Sequence, residues 1–300
     1  MDNRKLNYIF LKYLLLVVIS TFSWVTYSQV PGDQPKVHTK VYKTIGWTNL
    51  KLYIFQPSVH NYQEQPPAAV FFHGGGWGGG HAWQFVPQCK YLAELGMVAI
   101  SVEYRVRKRQ GVTPFECVAD AKSAIRWVRV NANEFGIDKD RIAAGGGSAG
   151  GHLAACTALI KGLDEIDEDL NISSVPNALV LFNPVLDVPE ILHILPKKII
   201  KAFEGRETEI SPIHHVAVGA PPTVIYHGTA DNNVPFHQTT RFCEEMKKYG
   251  NQCEVVPFEG LGHGFFNYNK GGNPAFLATM ENTVKFLISI GYLKDDSEIK

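Results

Sequence analysis

The sequence predicts an α/β fold: a mostly parallel central sheet with helices on both faces. Three observations predict it. Runs such as residues 68–72 and 178–182 are short and fully apolar, which suits strands buried on both faces. Strand-like runs alternate with helix-like segments from residue 68 to residue 290, the pattern of crossover connections in a parallel sheet. Three of these runs lead into glycine-rich turns carrying serine, aspartate or histidine, at the strand ends where open α/β sheets bind ligands.

The elements follow in order. Residues 37–45 and 50–56 read as a hairpin around Gly46-Trp47-Thr48-Asn49. A proline-bearing loop, 57–67, precedes the strand 68–72, which ends at His73-Gly74-Gly75-Gly76-Trp77. A helix over 83–95 and a strand over 97–104 come next, then a charged turn, 105–110. The helix beginning at Pro114 is expected to close before Gly136. Within it Asp120 and Arg126 are expected to be structural or solvated, with Arg105 a partner for Asp120. A strand from Arg141 to Ala144 runs into a glycine-rich turn and a small-residue helix from Ala149. Residues 164–171 read as a solvated acidic loop. Residues 183–220, broken by prolines, read as a short cap-like insertion over the site, too polar for core, with a short helix at 197–203. His214 and His215 near its end have no metal-ligand spacing and are taken as structural. Strands at 223–226 and 254–258 and helices at 235–249 and 275–290 complete the domain.

At 300 residues, 45% hydrophobic and 19% charged, the composition fits one globular α/β domain over 37–300. Zero net charge argues against nucleic acid as a partner. Residues 1–28 are expected to be a cleavable signal peptide: Arg4, Lys5 and Lys12 precede a 13-residue apolar run, with Thr26-Tyr27-Ser28 at the cut. That run falls short of the roughly 20 residues needed to span a bilayer, so no stable membrane anchor is expected. Residues 29–36 would be a linker. The chain is thus expected to be secreted or periplasmic. The five cysteines show no disulfide framework or zinc pattern. Cys89, Cys117 and Cys156 fall in predicted helices and read as buried apolar side chains. Cys243 and Cys253 either pair across a helix-to-strand connection or remain separate.

The chemistry concentrates in a few groups. Gly146, Ser148 and Gly150 fit G-x-S-x-G between a strand and a helix, a turn that exposes a nucleophilic serine. Asp231 follows the strand 223–226, and His263 sits in Gly262-His263-Gly264 after the strand 254–258. A serine hydroxyl needs a base to take its proton, and imidazole titrates near neutrality. An aspartate can hold the imidazole tautomer and stabilise the imidazolium. The N–H groups of Gly75, Gly76 and Ala149 would form an oxyanion hole. Acyl transfer by such a set requires no metal or organic cofactor.

With its motifs HGGGW (73–77), GGSAGG (146–151), GTADNNVP (228–235) and GHGF (262–265), the chain resembles the α/β-hydrolase superfamily. Within it, the likeness is to the hormone-sensitive-lipase-like and acetyl-esterase group, and it covers about residues 37–293. The order Ser, Asp, His is that of this superfamily. The resemblance implies Ser148, Asp231 and His263 as a catalytic triad. It also implies Gly75, Gly76 and Ala149 as the oxyanion hole. Gly147 departs from the aspartate common in that group, and no room exists for its large N-terminal cap. Both shift the likeness towards small secreted esterases that deacylate polysaccharides, with an open site. The expected function is hydrolysis of short acyl or aryl esters, possibly on a carbohydrate, the acid part lying near Trp77. A prolyl-oligopeptidase-type peptidase and a non-catalytic binding protein on the same fold are the alternatives. Oligomeric state is not legible.

Overall fold

In the computed structural model, residues 36–57 and 64–295 are described, and all belong to one compact unit, Gln34–Lys300. The expected signal segment, 1–28, and all but the last residue of the linker lie outside the described residues. Among the described residues no helix is long and apolar enough to cross a membrane.

Strands β1 (Lys36–Ile45) and β2 (Thr48–Gln56) form the expected hairpin. Its turn is Gly46-Trp47 alone, two residues shorter than expected, because Ile45 already pairs with Thr48 and Gly46 takes φ +55°, the positive φ that a two-residue turn requires. Next come β3 (Ala68–Phe72), α1 (Val86–Glu94), β4 (Val98–Val102) and the single turn α2 (Arg107–Gln110). Helix α3 (Pro114–Val130) stops earlier than expected, because Asn131 leaves helical geometry and a 3-10 turn continues to Phe135. At its start Thr113 and Glu116 cap each other's backbone, which satisfies N–H groups the first turn leaves unpaired. Strand β5 (Ile142–Gly147) runs three residues beyond the expected Ala144, into the glycines, before α4 (Ala149–Leu159). Then follow β6 (Ala178–Phe182), the short turns α5 (Val188–Ile191) and α6 (Lys197–Ile200), and β7 (Thr223–Gly228). The chain finishes with α7 (His237–Lys248), β8 (Cys253–Phe258) and α8 (Pro274–Ser289).

Among the described residues, all eight strands form one sheet in the order β1-β2-β4-β3-β5-β6-β7-β8. Only the β1–β2 and β2–β4 pairs are antiparallel; from β4 to β8 every pair is parallel. Alternate residues of one strand feed opposite faces. Val70 and Phe72 pack with Val118, Ile125 and Leu153 of α3 and α4, whereas Ala69 and Phe71 pack with Leu92 of α1 and Leu287 of α8. Cys89, Cys117 and Cys156 are free and buried, as expected. Cys243 and Cys253 form a disulfide between α7 and β8, with Cα atoms 5.3 Å apart.

Two expectations are overturned. The insertion is not excluded from the core: Leu186, Val188, Ile191, Phe203 and Ile210 are buried and join the cluster around α3 and α4. Prolines interrupt its helices, but its apolar side chains still find the core. The acidic loop is not merely solvated either. Asp164 bridges Lys122 and Arg126 at 2.9 and 2.7 Å, Glu168 pairs with Arg126, and Glu165 reaches Lys43 and Arg105 at 2.6 and 2.9 Å. The anticipated Arg105–Asp120 pair forms, bidentate at 2.8 and 2.7 Å, with Lys43 adding a third cation contact at 2.7 Å.

Asp120 has no solvent exposure, so removing it leaves two largely buried cations sharing the single, partly exposed Glu165. Asp120→Ala is expected to cost about 3–5 kcal/mol of unfolding free energy, as breaking a buried pair does. Glu165→Ala, at the wetter side of the same cluster, is expected to cost under about 1 kcal/mol. Urea unfolding of both variants beside wild type measures the difference.

Candidate active site

Ser148 occupies the junction of β5 and α4 with φ +56° and ψ −121°. For a residue with a Cβ this is a strained conformation, and it demands close approach of the flanking backbone. The approach is visible at two glycines. A Cβ on Gly146 would lie 2.5 Å from backbone atoms of Gly150, and one on Gly150 would lie 2.0 Å from the carbonyl oxygen of Phe72. No side chain fits at either position. Ser148 N–H donates to Phe182 O at 2.9 Å, tying the turn to β6. Ser148 is the N-cap residue of α4, yet its side chain makes no capping hydrogen bond, so the hydroxyl is left for other chemistry.

Asp231 and His263 meet as the sequence predicts. His263 Nδ1 lies 2.7 Å from Asp231 Oδ2. A carboxylate can only accept here, so Nδ1 carries a proton, which in the neutral ring places the lone pair on Nε2. Asp231 Oδ1 accepts the N–H groups of Asn233 and Val234 at 2.8 and 3.0 Å. His227 Nε2, which sequence reasoning passed over, stands 3.3 Å from Asp231 Oδ2 and 2.9 Å from Val234 O. Burial alone would push the Asp231 carboxyl up. The hydrogen bonds from His227, His263 and Val234 outweigh it and hold the group well below the usual carboxylate range.

A cavity of about 370 Å³ lies at the carboxyl ends of the parallel strands. Ser148, Ala149, His263, Gly75, Gly76 and Trp77 all line it, so the structure brings together every predicted site residue except Asp231, which stands behind His263. Gly75 turns its own carbonyl back to Gly78 and Gly79 N–H at 3.1 Å. Its φ of +125° and the 2.4 Å that would separate a Cβ from Gly79 O make it a position only glycine can fill. Trp77 borders the cavity but is 1% exposed. Its Nε1–H donates to His152 Nδ1 at 3.2 Å, and its ring stands edge-on to His152 and Phe203. It therefore holds the glycine loop against α4 and the insertion more than it offers a surface to an acyl group. The remaining wall has apolar Val185, Ile191, Ile194 and Leu195 from the insertion, Val234 and Phe266 from later loops, and amides that include Gln84, Asn183 and Asn267. None of the three amides was singled out in the sequence. Asn183 could have been, since it directly follows β6 at the functional sheet edge.

Two further histidines stay neutral. His73, stacked on Tyr104, and His152, bonded to Ile210 O at 2.6 Å, are buried, and burial pushes both down to about 4.

A serine at a strand-to-helix turn, a histidine polarised by a buried aspartate and a glycine loop lining the same cavity define an α/β-hydrolase site. The chain matches the BD-FAE family model over residues 52–246, and it belongs to that family. Named relatives are carboxylic ester hydrolases. The probable carboxylic ester hydrolase LipM of Mycobacterium tuberculosis is 31% identical over 210 residues, 64% of this chain and 48% of that protein. The esterase LipC of the same organism is 30% identical over 215 residues, 66% of this chain and 53% of that one. The chain thus spans about half the length of these curated relatives. Among solved structures, the apo form of Thermogutta terrifontis esterase 2 is 48% identical, with a TM-score of 0.83. The match covers 90% of this chain and all of that one.

The two neutral histidines set a pH dependence. Unfolded histidine titrates near 6.5, so between about pH 6.5 and pH 4 the unfolded chain takes up protons the folded chain refuses. Stability is expected to fall over that window by on the order of 2 kcal/mol per histidine at pH 5. The depressed Asp231 carboxyl does not interfere, because its stabilising contribution is lost only as pH falls below about 4. Urea unfolding at pH 7, 6 and 5 should show a shallower decline for His152→Gln than for wild type.

Proposed function

We propose that this protein is a serine esterase that hydrolyses short-chain acyl esters through an acyl-enzyme on Ser148. The observation that carries the reading is His263, polarised at 2.7 Å by Asp231 and opening on the same cavity as Ser148 and the Gly75–Gly76 loop. In the first half-reaction the Ser148 oxygen attacks the ester carbonyl carbon while His263 Nε2 takes its proton. The N–H groups of Gly75, Gly76 and Ala149 receive the carbonyl oxygen as it becomes an anion. Each such donor is worth roughly 3–4 kcal/mol in other serine hydrolases. The C–O bond to the alcohol breaks, and His263 returns the proton to the leaving alkoxide. Water then attacks the acyl-enzyme by the same path in reverse order, releasing the acid and free Ser148.

The apolar wall of Val185, Ile191, Ile194 and Leu195 in a cavity of about 370 Å³ favours a short aliphatic acyl group. Structures of Thermogutta terrifontis esterase 2 are described as propionate-bound and butyrate-bound, and one as phosphorylated by paraoxon. These support the same acyl class here. An acylated carbohydrate is the proposed natural substrate, on the likeness to small secreted esterases. Export is proposed from the basic and apolar pattern of the first 28 residues. The Cys243–Cys253 disulfide fits an oxidising compartment.

The test compares wild type with Ser148→Ala on 4-nitrophenyl esters from acetate to octanoate and on methyl ferulate, with acetate release from an acetylated polysaccharide measured in parallel. Wild type is expected to prefer acetate to butyrate, to free acetate from the polymer and to be labelled once by paraoxon. Ser148→Ala should lose about a thousandfold or more in kcat/KM and all labelling. Peptide cleavage without ester cleavage would replace the reading with a peptidase, and a folded wild type that neither turns over nor labels would replace it with a binding protein.

A further inference from the structure

Four loops reach the cavity from different strands, and one line of amides ties three of them together. Gly74 N–H, at the root of the glycine loop after β3, donates to Gln84 Oε1 at 2.6 Å. Gln84 Nε2 donates to Asn267 Oδ1 at 2.9 Å, and Asn267 Nδ2 donates to Gly264 O at 2.7 Å. Gly264 N–H in turn donates to Asn183 Oδ1 at 2.9 Å, at the end of β6. Gly264 directly follows His263, so the peptide group on each side of it is gripped: its N–H by Asn183 and its carbonyl by Asn267.

The direction of the line is fixed by its ends. A backbone N–H can only donate, so Gln84 must present oxygen to Gly74. A carbonyl can only accept, so Asn267 must present nitrogen to Gly264. The middle contact is then nitrogen of Gln84 to oxygen of Asn267, as found. Each middle residue must accept on one side and donate on the other. A carboxylate cannot do this, and an apolar side chain does neither. Both residues are only partly buried and border the cavity. Covering surface is therefore a poor reason for two amides in series, and spacing two loops is a good one.

We propose that Gln84 and Asn267 are positioning residues: a strap that sets the distance between the oxyanion loop and His263. The proposal rests on the esterase reading. Its consequence is that the strap acts chiefly on the reacting geometry, because Gln84 and Asn267 join the glycine loop to the His263 loop, whereas Val185, Ile191, Ile194 and Leu195 of the acyl wall lie on the insertion. Misplacement of a catalytic group by about 1 Å can cost a hundredfold in rate.

The experiment is Gln84→Glu, which keeps shape and the bond from Gly74 but, when ionised, sets one acceptor against Asn267 Oδ1. At pH 8 kcat on 4-nitrophenyl acetate is expected to fall about tenfold to a hundredfold, with KM changed less than about twofold. As pH falls towards the ordinary glutamate range near 4.3, the protonated side chain regains its donor. The ratio of variant to wild-type kcat should therefore climb between pH 8 and pH 5. Gln84→Met should be slow with no recovery at any pH. Should Gln84→Glu fail to fold, Asn267→Asp supplies the same test through its bond to Gly264 O. A Gln84→Met variant with wild-type kcat, an unchanged kcat of Gln84→Glu at pH 8, a pH-independent ratio, or a loss confined to KM would overturn the strap; the neutral methionine separates a lost strap from the field of a carboxylate. Failure of wild type itself to turn over or label would instead overturn the esterase reading, so the two failures are distinct.

Discussion

The left-handed turn at Ser148 is the constraint on which the rest of the site depends. A non-glycine residue at φ +56° costs on the order of 1–3 kcal/mol, and the fold meets that cost by packing backbone against backbone. Because Gly150 has no side chain, α4 starts in contact with the end of β3, where the chain leaves Phe72 for the glycine loop. One close approach thus fixes both the serine and the start of the glycine loop that lines the same cavity. The parallel register of β3, β5 and β6 does the rest, since Phe72, Gly146 and Leu181 lie side by side at the same sheet edge.

Much of this was legible because it is written in residues with few conformational alternatives. Glycines around a serine, three glycines after a fully apolar strand, and an aspartate and a histidine after later strands point to one edge of one sheet. The Arg105–Asp120 pair was also within reach, since both residues lie on segments that must meet beneath that edge. What escaped reading depends on partners distant in sequence. Lys43 and Glu165 are 122 residues apart, and Gln84 and Asn267 are 183 apart. No local pattern marks an amide whose only distinction is where its partner lands. The insertion was misjudged for a related reason. Prolines and short turns read as loop, but Phe203 and Ile210 are judged by where they pack, and they pack in the core.

Charge and neutrality are sorted by location. Beneath the site, away from the cavity, Lys43, Arg105, Lys122 and Arg126 are matched against Asp120, Asp164, Glu165 and Glu168. Lining the cavity, Gln84, Asn183, Asn267 and the Trp77 indole hold loops as neutral groups, and the one cation on the His263 loop, Lys270, donates to the His263 carbonyl from outside the lining. A fixed negative charge there would oppose an anion forming at the glycine loop, whereas an amide holds position without adding to the field.

Helix α4 begins without the side-chain cap that helices commonly carry, since its N-cap serine points its hydroxyl elsewhere. Its first N–H groups and the positive end of its dipole are therefore left without a side-chain cap at the end where Ser148 and Ala149 line the cavity. In the proposed reaction the negative oxygen formed during acyl transfer takes the place that an aspartate side chain holds at other helix starts. The helix is then finished only for the lifetime of the intermediate. Part of the stability that a permanent cap would give the resting protein is in this way deferred to the moment of bond exchange.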